Sequence, residues 1–236
     1  MLNLHGYGMR LFEGALVTIE LAVLSLVIAV LFGLMTASAK LSGNRMLHLL
    51  ATLYTTLIRG VPDLVLMMLF FFGGQTLVNS LSDAVYARFG VDFFININPF
   101  VAGVLTIGLI FGAYMGETFR GAIQSVEKGQ VEAAAACGMS RSLIFRRVKF
   151  PLMMSHALPG LSNNWQVLLK TTALVSIIGL SDMVRVATQA SKATFEPFTF
   201  MLFVGAVYLI LTSFSEWIFK RLRLKYHAGY VGAAND

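Results

Sequence analysis

The sequence predicts an all-α integral membrane protein with five transmembrane helices, a single domain over residues 1–236, its N-terminus outside and its C-terminus inside. Three observations carry that expectation. The 236 residues are 57% hydrophobic and 13% charged, with a mean hydropathy of +0.74, too apolar for a soluble chain of this length. Five stretches reach the roughly 20 residues needed to cross ~30 Å of hydrocarbon. The basic residues are unequally divided: thirteen of the 18 lysines and arginines flank the spans on one side, four lie on the other, and Lys170 falls within a span. Positive charge marks the cytoplasmic face, and five spans put the termini on opposite sides, so the two arguments agree. The net charge of +6 does not point to nucleic acid, because the basic residues are not gathered into a patch with interleaved aromatics. The one cysteine, Cys137, excludes an internal disulfide and reads as a small packing residue.

The first span covers about 14–39 and carries Glu20 two turns in. Ala37-Ser38-Ala39 imitates a signal-peptidase site, but the apolar run exceeds the ~7–15 residues of a signal core and its positive charges follow it, so it is expected to stay as a helix. Residues 40–60 are amphipathic, with Leu47, Leu50, Leu53 and Leu57 at helical spacing. They form either a helix on the inner surface or an extension of the second span, about 62–81, which opens with Pro62-Asp63. The third span, about 99–118, has Gly108, Gly112 and Gly116 four apart, a stripe suited to close helix packing within the chain or across a subunit interface. Glu117 lies one turn before Arg120, the spacing of an intrahelical ion pair. The fourth span, about 157–180, is the least apolar, interrupted by Pro159, Asn163, Asn164 and Lys170. It is expected to face the bundle interior, with Lys170 near its middle and paired with a carboxylate of a neighbouring helix. The fifth covers about 197–219. Trp165, Tyr208, Trp217 and Tyr226 suit interfacial anchoring, with stacking on a substrate a second use for Trp165.

The longest cytoplasmic stretch, 120–156, is not itself a span. Alanine-rich 131–137 has the best helix-forming composition available, and Gly138 falls where a left-handed residue ends such a helix. Ser140 is placed to cap a second helix from Arg141 to Phe150, which Pro151 is expected to stop. That helix puts Ile144 and Val148 on one face and basic residues around the rest, as on a surface.

The order Glu132-Ala133-Ala134, then Gly138, then Val148, Phe150 and Pro151 resembles the cytoplasmic coupling loop of ABC-importer permeases, with Val148 in place of Ile and Phe150 in place of Leu. Three further stretches resemble the branch that imports polar amino acids. These are Tyr54 to Leu64 with Arg59-Gly60-Val61-Pro62-Asp63, Gly112 to Gly121 with Glu117 and Arg120, and Leu158 to Leu174 with Asn163-Asn164-Trp165 and Lys170. The wording is most similar to permease subunits of the histidine/lysine/arginine/ornithine type and to relatives importing arginine, ornithine or opines.

The resemblance implies a type I importer permease of the MetI-like fold in the bacterial inner membrane. It also implies pairing with a second permease subunit, a similar chain or an identical one. Two copies of an ABC ATPase and a periplasmic or lipid-anchored solute-binding protein would complete the importer. ATP and Mg belong to the ATPase, and no cofactor or metal is expected on this chain. Coupling to the ATPase falls on Glu132, Ala133, Ala134, Gly138, Arg141 and Pro151. Candidates for the substrate path are Asp63, Glu117, Asn163, Asn164, Trp165 and Glu20. Among these, Asp63 is favoured as an attractor of cations because many relatives carry Leu after that Pro; capping of the second span explains it equally well. The chain has no G-x-x-x-x-G-K-[ST] loop and no H-E-x-x-H, and His5, His48, His156 and His227 are scattered, so no catalytic constellation is expected. A membrane scaffold that recruits a cytosolic partner without moving solute is the competing class.

Overall fold

The computed structural model describes residues 4–91 and 95–227. Among them the chain is almost wholly helical: α1 Gly8–Leu41, α2 Arg45–Gly60, α3 Asp63–Met68, α4 Gly74–Phe89, α5 Pro99–Gln124, α6 Lys128–Ala136, α7 Arg141–Ile144, α8 Phe150–Thr171, α9 Met183–Thr194 and α10 Pro197–His227. A wide π turn, Leu69–Gly73, joins α3 to α4 into one continuous helix, and a second, Phe145–Lys149, joins α7 to α8. Four stretches are long and apolar enough to cross a membrane: Gly8–Leu41, Asp63–Phe89, Pro99–Gln124 and Pro197–Tyr226.

The bundle is built around α5, of which 67% of the most apolar stretch is buried, against 11% for Asp63–Phe89 and for Pro197–Tyr226. Asn98 caps it by accepting from the Phe100 amide at 2.8 Å, and Pro99 opens it at the position where a missing N–H costs nothing. Its glycine stripe is the seam with α1. A Cβ on Gly108 would lie 2.4 Å from Ile28 Cγ2, one on Gly112 would lie 2.7 Å from Phe32 Cβ, and one on Gly116 would lie 2.9 Å from Thr36 Cβ. The stripe therefore serves packing within the chain. Gly108→Ala is expected to destabilise the protein by roughly 2 kcal/mol, the cost of overpacking a tight seam, while Gly205→Ala on the open face of α10 is neutral or slightly stabilising. Thermal unfolding of the two variants in one detergent checks the contrast.

α2 belongs to the bundle as a separate helix. Asn44 caps it, and Val61-Pro62, both extended, break it from α3, because proline lacks an N–H and holds the residue before it out of the helical region. The Tyr54 hydroxyl donates to the Leu109 carbonyl at 2.5 Å, and Ala51, Thr55 and Ile58 are buried. Leu47, Leu50, Leu53 and Leu57 point outward, away from this chain's core.

Two expectations are corrected. The helix after Ser140 does not stop at Pro151 but runs on through α8. The π turn before Pro151 shifts the hydrogen-bond frame, the Phe150 amide donating back to the Phe145 carbonyl, so the proline ring enters without breaking the helix. The fourth span likewise does not run unbroken to residue 180. α8 ends at Thr171 in a tight 3-10 turn, Thr172–Ser176, which places Lys170 at its end rather than its middle. The connection over 181–196 contains α9, whose Met183, Ala187 and Ala190 bury with Leu11 and Phe200 into a second small core at the N-terminal ends of α1 and α10.

Candidate functional site

Two surfaces combine exposure with unusual chemistry, and α8 with the segment leading into it connects them. The first is the α6–α7 platform. Alanine-rich α6 ends as its composition dictates: the Gly138 amide donates to the Ala135 carbonyl at 3.0 Å and the Met139 amide to the Ala134 carbonyl at 3.2 Å. Gly138 holds φ +77°, a conformation in which any Cβ is strained. The Ser140 hydroxyl accepts from the Leu143 amide at 3.4 Å and starts the next helix. Ala134 and Ile144 bury between the two arms. Phe150 packs edge-on against Tyr226 of α10, ring centres 6.3 Å apart. This anchoring leaves Glu132, Ala133, Ala135, Ala136, Cys137, Gly138 and Arg141 exposed, and Glu132 has no hydrogen-bond or ion-pair partner among the described residues. The expected packing role of Cys137 is thereby corrected: its thiol faces outward. A face of small side chains with one free carboxylate and a basic border can receive the cleft of a partner protein closely.

The second surface is one side of α8. His156, Pro159, Asn163, Val167 and Lys170 are exposed and recur at helical spacing, so they form a single stripe. Lys170 has no ion pair among the described residues, which corrects the expectation of a buried lysine paired with a neighbouring helix. The other polar residues of α8 point elsewhere. Asn164 is buried and donates to Thr118 Oγ1 at 3.1 Å, fastening α8 to α5. Trp165 turns toward α1 and α10, on the opposite side from Asn163.

The remaining predicted residues divide by their partners. Glu117 is fully engaged: it accepts from Lys40 Nζ at 2.5 Å and from Arg120 at 2.9 Å, and Lys40 also donates to Thr55 at 2.6 Å. It is a structural joint of α1, α2 and α5, so the expected pair with Arg120 is extended by Lys40. Asp63 opens α3 at the Val61-Pro62 break, half-buried, with no side-chain partner among the described residues. Glu20 is exposed on the outward face of α1, also without a partner there. The stripe on α8, Asp63 and Glu20 are thus sequence-predicted polar groups that carry no ion pair among the described residues.

Two engaged carboxylates escape sequence reasoning. Glu216 of α10 accepts from Ser162 at 3.0 Å and Gln166 at 2.7 Å and pairs with Arg223, tying α8 to α10. The signal was present in an acid inside an apolar span with a cation seven residues on. Asp182, only 1% exposed, caps α9 by accepting from the Val184 and Arg185 amides at 3.3 and 3.0 Å, and burial pushes its carboxyl up to about 6.

Residues 29–227 match the model of the binding-protein-dependent transport system inner membrane component family. The chain is 50% identical over 226 residues to the histidine/lysine/arginine/ornithine transport system permease protein HisQ of Escherichia coli strain K12, covering 96% of this chain and 97% of that one. It is 37% identical to the octopine transport system permease protein OccQ of Rhizobium radiobacter, over 91% of this chain and 89% of that one. Among solved structures, an amino acid ABC transporter with histidines shares 32% identity with a TM-score of 0.75, covering 93% of this chain and 95% of its counterpart.

Proposed function

The chain belongs to the family of binding-protein-dependent transport system inner membrane components, and from that premise we propose that it forms half of the path by which an ATP-driven importer moves basic amino acids or an opine through the bacterial inner membrane. The observation that carries this reading is the stripe on α8. An amide, an imidazole and an ammonium group on the outer face of a helix set among apolar spans are costly against lipid. A second permease subunit, similar or identical, facing this stripe across a water-filled path removes the cost.

In this reading α8 and its 3-10 turn complete a fifth crossing, which puts the N-terminus outside, the C-terminus inside and the loop 120–156 in the cytoplasm, as the charge asymmetry requires. Glu20 and Lys170 suit the same arrangement. Ile19 and Leu169, their neighbours in sequence, line one groove, so two unpaired opposite charges lie at comparable depth on outward faces. A subunit related by rotation about the membrane normal brings such groups together without changing their depth.

An ATPase dimer docks on the α6–α7 platform. Glu132 pairs with a cation of that partner, Ala133 lets it approach, Gly138 sets the bend and Arg141 borders the contact. Pro151 lies beyond the contact, in the first turn of α8, where the π turn absorbs it. Closure of the ATPase on ATP and Mg, which are bound by that partner, moves the platform. Because α7, the π turn and α8 form one uninterrupted helix, the displacement passes directly to the polar stripe, and the site opens alternately to either side. A periplasmic or lipid-anchored binding protein delivers the solute. This chain supplies no hydrolytic chemistry.

Asp63 is the residue assigned to attraction of the cationic substrate. It is half-buried, located at a helix break and without a side-chain partner among the described residues. Uptake of labelled arginine by proteoliposomes holding this chain with its co-purified partners tests the whole reading. ATP-dependent uptake competed by lysine, histidine or octopine is expected, whereas absence of both a co-purifying ATPase and solute movement points to a recruiting scaffold. In the same assay Asp63→Asn is expected to cut arginine uptake about tenfold and neutral amino-acid uptake far less, the loss of one charge-assisted contact. Equal losses assign Asp63 to capping α3.

A further inference from the structure

On the side of α8 opposite the polar stripe, the bundle carries a groove of about 420 Å³ between α1, α8 and α10. Val23 and Leu26 form one wall, Trp165 and Leu169 the floor, and Phe214 and Ile218 the other wall. No charged side chain lines it, and the hydroxyl of Ser215 at its edge is already bonded to the Leu211 carbonyl at 2.7 Å. Its size falls within the ~300–1,000 Å³ of sites that enclose small apolar ligands.

Aromatic and basic side chains follow the groove wall along α10. Phe214, in its wall, stacks on Trp217 with ring centres 6.1 Å apart and planes 20° from parallel. The Arg221 guanidinium lies 5.0 Å over that same Trp217 ring. Each step is one helical turn, so from the groove wall at Phe214 a row of side chains on α10 leads through an aromatic pair to a cation. Exposed Lys220 and Lys225 flank it, while Arg223 is occupied by Glu216. Apolar surface, an interfacial tryptophan and then positive charge is the order in which the acyl region, the interface and the phosphates of a bilayer leaflet follow one another.

We propose that this groove is a specific site for an anionic phospholipid of the inner leaflet, one acyl chain lying against Trp165 and Leu169 and the phosphate held by Arg221 and Lys220. The assignment to the inner leaflet rests on the orientation of α10 given above. Lipid is the occupant favoured over a second permease subunit because Trp165 and Leu169 point about 200–240° around α8 from Asn163, away from the face where the polar stripe calls for a partner.

The test uses the full chain with its co-purified subunits in detergent. Retention of phosphatidylglycerol and of phosphatidylcholine with the same two acyl chains is measured by native mass spectrometry, with an inorganic phosphate arm. Selective retention of phosphatidylglycerol is expected. Arg221→Gln and Lys220→Gln should each weaken it about fivefold, the effect of one interfacial charge, and weaken phosphatidylcholine less, because its choline ammonium offsets the phosphate charge. Val23→Trp, which fills the groove, should lower retention of both lipids. Equal retention of the two lipids, full retention of phosphatidylglycerol by both charge variants, or displacement of it by inorganic phosphate at equal concentration overturns the site. Unfolding midpoints of the lipid-free variants matching the parent show that the fold is intact. Retention is read without ATP or solute, so a failed lipid site leaves the transport reading standing, and failed uptake leaves the lipid site standing.

Discussion

Gly138→Asp is expected to lower ATP-driven uptake at least tenfold while the chain inserts and purifies as before. The substitution separates folding from docking because of where Gly138 lies. Its φ of +77° disfavours side chains, but aspartate tolerates the left-handed region better than most residues. A Cβ there has nothing within 4 Å, so no core contact is disturbed. The cost to the fold is about 1 kcal/mol or less. What changes is the platform itself, since a second carboxylate joins Glu132 on a face that otherwise presents small side chains. ATP hydrolysis and arginine uptake measured in the same vesicles check the outcome: hydrolysis continues while uptake falls. Undiminished uptake removes the docking role from this loop.

The second large effect concerns stability. Glu117→Gln should destabilise the protein by about 3 kcal/mol, because it strips the charge from the partner of a buried cation. The Lys40 side chain is 8% exposed and among the described residues has only Glu117 to balance it, Thr55 being neutral. Arg120→Gln should cost under ~1 kcal/mol, since the Arg120 side chain is 35% exposed and Lys40 still holds the carboxylate. For a chain of this size 3 kcal/mol corresponds to a lowering of the unfolding midpoint by roughly 6–12 °C. Thermal unfolding of both variants in one detergent separates a three-helix joint from a surface ion pair. Similar shifts in the two would show that Lys40 contributes little.

These residues also show how far sequence reading reaches. By itself the sequence determined what depends on neighbours along the chain: the apolar spans, the sidedness of charge, the end of α6 at Gly138, the cap at Ser140 and the Glu117–Arg120 pair. Each follows from composition or from spacing of three or four residues, which a helix converts directly into proximity. The order Glu132-Ala133-Ala134 to Gly138 was legible for the same reason, being a local pattern.

The tertiary structure decided what depends on which helix lies beside which. Lys40 meets Glu117 across 77 residues, Glu216 reaches Ser162 across 54, and the glycine stripe finds α1 rather than a separate subunit. Pro151 was misjudged because its tolerance comes from a π turn, a shift of hydrogen-bond frame that composition does not announce. Lys170 was misjudged because polarity in a span says that a group needs a partner, while only packing says which side it faces. Here the interior of the chain is closed by apolar contacts and glycine seams, so the unpaired charges are directed outward, toward whatever the membrane assembly places against them.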